Sequence, residues 1–107
     1  MIARSWHGRV RAAQSDEYYG YMSSTGLADY AASPGYRGII VQQWTEDDVS
    51  HFLLTTFWDS VEAIKRFAGD DYSNARYYPH DDEYLLEREP HVRHATVLLA
   101  EVPATSV

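Results

Sequence analysis

Gly38-Ile39-Ile40-Val41-Gln42-Gln43-Trp44 and His51-Phe52-Leu53-Leu54-Thr55-Thr56-Phe57-Trp58 decide the fold. The first reads as a strand, nearly continuous in apolar residues at Ile39–Val41. The acidic stretch Thr45–Ser50 between them reads as a hairpin loop. The second strand is again apolar without clean alternation, the look of a strand buried on both faces. In an antiparallel hairpin one face is normally wet, so this pattern implies helices on one side and, most simply, a second subunit on the other.

Outward from the hairpin the chain alternates between strand and helix signals. Ile2–Arg11 has strand periodicity, with Ile2, Arg4, Trp6, Gly8 and Val10 on one face and Ala3, Ser5, His7, Arg9 and Arg11 on the other. Ser15 or Asp16 caps a helix reaching to about Ala32, carrying Tyr18, Tyr21, Met22, Thr25 and Ala28 at helical spacing. Gly20 and Gly26 each weaken it by about 1 kcal/mol relative to alanine, which close packing would justify. Pro34-Gly35 is a turn. After Trp58, Asp59 or Ser60 starts a helix whose inner face is Val61, Ile64, Phe67 and Ala68, with Gly69 as its C′ residue. Asp70–Pro79 is irregular, His80–Glu89 is expected to hold a short helix ended by Pro90, His91–Val102 is a last strand, and Pro103–Val107 is a tail. The order β-α-β-β-α-(α)-β is that of an α+β, ferredoxin-like split βαβ domain with a four-stranded antiparallel sheet.

The 107 residues make one domain, 1–107. With no cysteine, a disulfide framework, a thiolate metal site and a cysteine nucleophile are excluded. A net charge of −7 repels a phosphate backbone, so no nucleic-acid partner is expected. The apolar stretches are too short to span a bilayer and no signal peptide is visible, so a cytoplasmic protein without a membrane partner is expected. Nine tyrosines, three tryptophans and eight arginines against the single Lys65 suit a planar or anionic small molecule, or a tyrosine-rich core and dimer interface.

Phe57-Trp58-Asp59-Ser60, Glu62-Ala63-Ile64 and Phe67-Ala68-Gly69-Asp70 resemble the antibiotic-biosynthesis-monooxygenase-like family of dimeric α+β barrel proteins. Pro34-Gly35-Tyr36-Arg37-Gly38, Ala75-Arg76-Tyr77-Tyr78-Pro79 and Tyr84-Leu85-Leu86-Glu87 extend the resemblance to nearly the whole chain. It implies a homodimer whose sheets pair face to face, with a cavity between the sheet and helices of each monomer. The family holds cofactor-free quinone-forming monooxygenases, heme-degrading enzymes, isomerases, dehydratases and members without known activity. Trp58 matches a tryptophan that belongs to the site in a polyketide-pathway monooxygenase, and Arg76 matches an arginine of the same region. The asparagine and tyrosine accompanying them there are not evident. Heme-degrading members hold an iron-ligating histidine near the position of Arg76, and arginine cannot take that role.

Cofactor-free oxygenation needs a base near neutral pH, a donor for the substrate anion and a dry aromatic wall. His7 is the first candidate base, or else a histidine of the sheet or dimer interface. With Trp58 and Arg76 it forms the expected catalytic set. Arg4 and Trp6 share a face and are candidates for holding a planar or anionic substrate. If they line a pocket, His7 cannot line the same one unless a bulge intervenes. Tyr72, Tyr77, Tyr78 and His80 lie where a lid would be and complete the expected substrate contacts. No metal site is expected: His91 and His94 fall on opposite faces of their strand, and Asp81-Asp82-Glu83 reads as a solvated turn. No nucleotide motif is present, so no cofactor is expected. The leading expectation is a cofactor-independent monooxygenase acting on an aromatic or polyketide-like small molecule. The alternatives are a cofactor-free isomerase, cyclase or dehydratase on the same fold, and a non-catalytic small-molecule-binding or stress-associated protein.

Overall fold

The computed structural model describes residues 1–103. Strand β1 (Ile2–Arg11) is followed by helices α1 (Ser15–Ser24) and α2 (Gly26–Ala32). Strands β2 (Tyr36–Glu46) and β3 (Val49–Trp58) then precede helix α3 (Val61–Ala68) and the short strand β4 (Arg93–Thr96). The strands form one four-stranded antiparallel sheet in the order β2-β3-β1-β4, the α+β ferredoxin-like arrangement expected.

Alternation along β1 and β3 sorts the core. Arg4, Trp6, Gly8 and Val10 of β1 are buried on the helix-covered face beside Ser50, Phe52, Leu54, Thr56 and Trp58 of β3. Tyr18 and Met22 of α1 pack onto one half of that face, and Ala63 and Ile64 of α3 onto the other. The opposite face carries Ser5, His7, Leu53, Thr55 and Phe57, all only partly covered. This is the second, partly apolar side that the hairpin sequence implied, and the described residues cover it only in part.

α3 begins where Ser60 Oγ accepts the backbone N–H of Ala63 at 3.2 Å. It ends at Gly69, whose φ of 90° suits glycine. Gly35 works similarly (φ 87°), and a Cβ there would lie 2.5 Å from the Ala63 Cβ, so only glycine lets the turn before β2 touch α3.

Four local expectations are corrected. The helix to Ala32 is two helices, broken at Thr25 (φ −117°, ψ −92°). The hydroxyls of Ser24 and Thr25 both donate to the Tyr21 carbonyl, and such local bonds compete with the helical ladder. The hairpin loop contracts to Asp47-Asp48, with Asp47 left-handed at φ 54°. The helix expected within His80–Glu89 is one 3-10 turn, Asp81–Glu83. The last strand is four residues long instead of His91–Val102, because β4 finds partners only at Ile2–Ser5 of β1, and Leu98 and Leu99 beyond it stand exposed. Of the expected tail Pro103–Val107, residues 104–107 lie outside the described residues. No helix among the described residues is long and apolar enough to cross a membrane.

Candidate functional site

β1 runs opposite β3 in unbroken register from Ile2↔Trp58 to Arg11↔Val49. No bulge intervenes, so His7 points to the open face, away from Arg4, Trp6 and Trp58. The expected catalytic set is therefore split between the two sides of the sheet, and His7 cannot act with Trp58 or Arg76 within one subunit.

A cleft lies beneath the helices, lined among others by Trp6, Tyr18, Tyr30, Arg76, Tyr78 and Asp81. Its floor is the sheet, one wall is α1 and α2, and its roof is the irregular strap from Asp70 to Val92. Gly8 shapes the floor: a Cβ there would fall 2.3 Å from Cη2 of Trp6, so the indole lies flat across its strand neighbour only over glycine. Gly8→Ala is expected to force the ring off its rotamer and cost about 1–3 kcal/mol, read as an earlier denaturation midpoint with a shifted tryptophan emission.

The group at the centre carries no signal in the residue pattern. Asp81 is 5 % exposed, although the acidic run reads as a solvated turn. Asp82 and Glu83 do face water, but the 3-10 turn rotates Asp81 inward. There its carboxylate accepts the Tyr78 backbone N–H at 2.6 Å and the Tyr18 hydroxyl at 3.3 Å. Burial pushes its pKa up, against the lowering effect of those two hydrogen bonds. Burial and the nearby carboxylate keep the Tyr18 phenol protonated, and burial does the same for Tyr30. The Trp6 indole N–H is buried without a partner at the same cleft, an available donor. Tyr18 and Tyr30 are further rings that line the cleft without being expected there. Helical spacing marks Tyr18 as core, and spacing alone does not reveal which core rings border a void; Tyr30 falls outside that apolar pattern.

Arg76 and Tyr78 close the mouth. The Tyr78 hydroxyl donates to Asp29 Oδ2 at 2.7 Å, the Arg76 guanidinium stands 3.5 Å from the same oxygen, and it lies over the rings of Phe67 and Tyr78. The cleft offers about 20 Å³, room for one water. The guest-sized cavity implied by the resemblance is thus filled here by tyrosine rings. A ring-shaped ligand enters only if Tyr78 and Arg76 swing away from Asp29.

The remaining candidates sit around the cleft without lining it. Trp58 is fully buried, its indole N–H donating to Thr56 Oγ1 at 2.8 Å. Tyr77 meets Trp6 edge-on and donates to the Glu89 carbonyl. His80 is exposed and pairs with Glu83 at 2.8 Å. Arg4 is 3 % exposed and has no carboxylate partner among the described residues. It donates instead to the Tyr72 and Asn74 carbonyls and to His94 Nε2, tying the strap to the sheet. Burial, with the guanidinium's charge, pushes the His94 pKa down. His94 then adds stability that is present above its ordinary value of 6.5 and lost as pH falls through its lower folded value. His94→Gln, which keeps an acceptor for Arg4, is expected to flatten that acid-side decline in a series of thermal melts.

No protein-family model matches the sequence, and no curated protein matches it. Among solved structures, one from Bacillus cereus whose name assigns it provisionally to antibiotic biosynthesis monooxygenases is 14% identical, with TM-score 0.58 and 97% of each chain covered. The heme-degrader MhuD of Mycobacterium tuberculosis, with two hemes bound in its active site, is 18% identical, with TM-score 0.62, covering 95% of this chain and all of that one. A MhuD variant with two manganese protoporphyrin IX per active site is 15% identical, with TM-score 0.59 over 96% of this chain. The fold is that of the antibiotic-biosynthesis-monooxygenase-like proteins, as the sequence resemblance implied. The residues here do not fit a porphyrin. The cleft is water-sized, no histidine lines it, and Arg76 has no lone pair to offer. The histidine on this face, His94, already spends Nε2 on Arg4.

Proposed function

We propose that the protein is a cofactor-free monooxygenase-type enzyme that deprotonates a small phenolic or enolic aromatic in the cleft, with Asp81 as the base. One observation carries this reading: a buried carboxyl of raised pKa stands at a cleft with an unpartnered indole N–H. A carboxyl whose pKa is lifted toward neutrality is a better proton acceptor for such a substrate. Trp6 supplies a donor for the resulting anion, and Arg76 at the mouth favours an anionic guest. The anion passes an electron to dioxygen, one oxygen atom enters the substrate and the other leaves as water, so a reactive CH₂ becomes C=O. The substrate is admitted when the Asp29 contacts of Tyr78 and Arg76 open.

The experiment is oxygen uptake with a panel of anthrones and naphthols. Uptake above background that depends on protein supports the reading, and none across the panel contradicts it. Turnover that continues without oxygen would move the protein to a cofactor-free isomerase or dehydratase using the same base. Binding without turnover would favour a ligand-carrying role.

The open sheet face, with half-covered Leu53 and Phe57, supports a homodimer, and Leu98 and Leu99 are further exposed apolar side chains. Light scattering is expected to give a mass near twice 12.3 kDa at micromolar concentration. A value near 12.3 kDa would reject the pairing. Net charge and the lack of a membrane-crossing helix among the described residues are consistent with a cytoplasmic setting.

A further inference from the structure

Two guanidiniums crowd one corner of the helix side. Arg4 and Arg76 both lie over the Phe67 ring, at 5.9 Å and 4.8 Å from its centroid. Tyr30 packs against the same ring at 5.0 Å. Arg4 is buried, and its partners among the described residues are dipoles: the Tyr72 and Asn74 carbonyls and His94 Nε2. Arg76 stands 3.5 Å from Asp29, whose Oδ2 is more closely engaged by the Tyr78 hydroxyl at 2.7 Å. A buried cation without a counter-ion is costly, and its field acts strongly where water is excluded.

Tyr30 brings that field to the cleft, which its ring lines directly. Burial raises the pKa of its phenol, and the charges of Arg4 and Arg76 oppose that rise. The hydroxyl keeps its proton and is polarised toward giving it, the property of a good donor to an anion. Tyr18 and Tyr78 spend their hydroxyls on Asp81 and Asp29, whereas that of Tyr30 is bonded to no carboxylate among the described residues.

We propose that Tyr30 anchors the ligand of the cleft and that this ligand is an aromatic acid, its carboxylate bound at the Tyr30 hydroxyl and its ionisable hydroxyl directed to Asp81. The inference rests on the oxygenase reading of the cleft and narrows its substrate to a ring system with a permanent negative group. Two carboxyls of the protein oppose the guest. Asp29 is 45% exposed at the mouth, where water screens it. Asp81 has a raised pKa, so it carries its negative charge less readily than an ordinary aspartate. Arg76 becomes free for the guest through the same movement that admits a ring, its departure from Asp29 with Tyr78. A neutral phenol would leave the Arg4 charge as it stands, so the acid gains an attraction that the phenol lacks.

The test is calorimetric titration at pH 7, under argon so that no turnover occurs, with 6-hydroxy-2-naphthoate and with 2-naphthol, which lacks the carboxylate. The acid is expected to bind at least about tenfold more tightly, the usual strength of a hydrogen bond to a charged group. Tyr30→Phe keeps the ring packing and should remove most of that preference while leaving 2-naphthol affinity nearly unchanged. Arg76→Gln should reduce it too. The ratio of the two affinities is the readout, because a change in how readily the cleft opens alters both ligands alike. Circular dichroism checks the fold, and if Tyr30→Phe unfolds, Arg76→Gln decides. No binding of the acid, equal affinities, or a preference intact in the folded variants would overturn the proposal. That failure would leave oxygen uptake with neutral naphthols untouched. Absent uptake with a Tyr30-dependent preference for the acid would instead count against the oxygenase and keep the anchor.

Discussion

Asp81→Asn is expected to lower substrate-dependent oxygen uptake by roughly 10²–10⁴-fold, the contribution of one positioned general base, while leaving the protein at least as stable at pH 7. Asparagine has nearly the same shape. Its amide oxygen can accept the Tyr78 N–H, and its amide nitrogen can donate to the Tyr18 oxygen, so both local contacts survive. The stability half follows from the direction of the pKa shift. A carboxyl whose folded pKa lies above its ordinary 3.8 favours the folded state below that value, and this support is lost as pH rises through the raised folded value. Asparagine does not ionise, so the variant avoids that loss. Its advantage in denaturation midpoint should therefore be absent near pH 3 and grow on the neutral side of pH 4. Lost activity with retained or increased stability is the signature of a strained functional group. A variant that loses stability and activity together at pH 7 would mark Asp81 as a structural anchor of the strap.

Trp58→Ala is expected to cost about 3–5 kcal/mol, as large-to-small replacement of a buried aromatic usually does. Trp58 is 0% exposed and packs against Tyr30, Tyr36 and Phe67, in the cluster that joins α3 to the sheet. The loss is a large share of the 5–15 kcal/mol typical of a domain (about this size). Urea denaturation should show a much lower midpoint, or no folded baseline. Trp58→Phe keeps most of the packing but leaves Thr56 without the indole donor, and it should lose less. If Trp58→Phe retains its fold and its oxygen uptake, Trp58 works through packing. If it folds fully and loses turnover, the tryptophan has a direct part in the chemistry that its position away from the cleft does not suggest.

Periodicity made the sheet legible. Strict alternation in Ile2–Arg11 already separated Arg4 and Trp6 from His7, and the two-sided apolar hairpin announced an uncovered face. Capping chemistry made α3 legible as well, because Ser60 and Gly69 act locally. The breaks escaped for equally physical reasons. Ser24 and Thr25 end α1 through hydroxyl bonds to a carbonyl one turn back, which no apolar pattern encodes. β4 stops early because a strand extends only as far as its neighbour offers backbone partners. The site was the least legible part. Asp81 sits between the exposed His80 and Asp82, and its burial depends on a strap of some twenty residues folding over α1, held by long-range contacts such as Tyr78–Asp29 and Leu86–Arg9. The histidine that chemical reasoning favoured as base is on the far face, and the carboxyl it set aside is inside.

The most direct test of a buried proton acceptor under the helices is a pH titration of the Asp81 carboxyl by carbon-13 nuclear magnetic resonance, assigned with Asp81→Asn and repeated with a saturating naphthol. The account predicts a midpoint above the ordinary aspartate range that moves again when the naphthol occupies the cleft. A midpoint at or below 3.8, indifferent to the ligand, would contradict it.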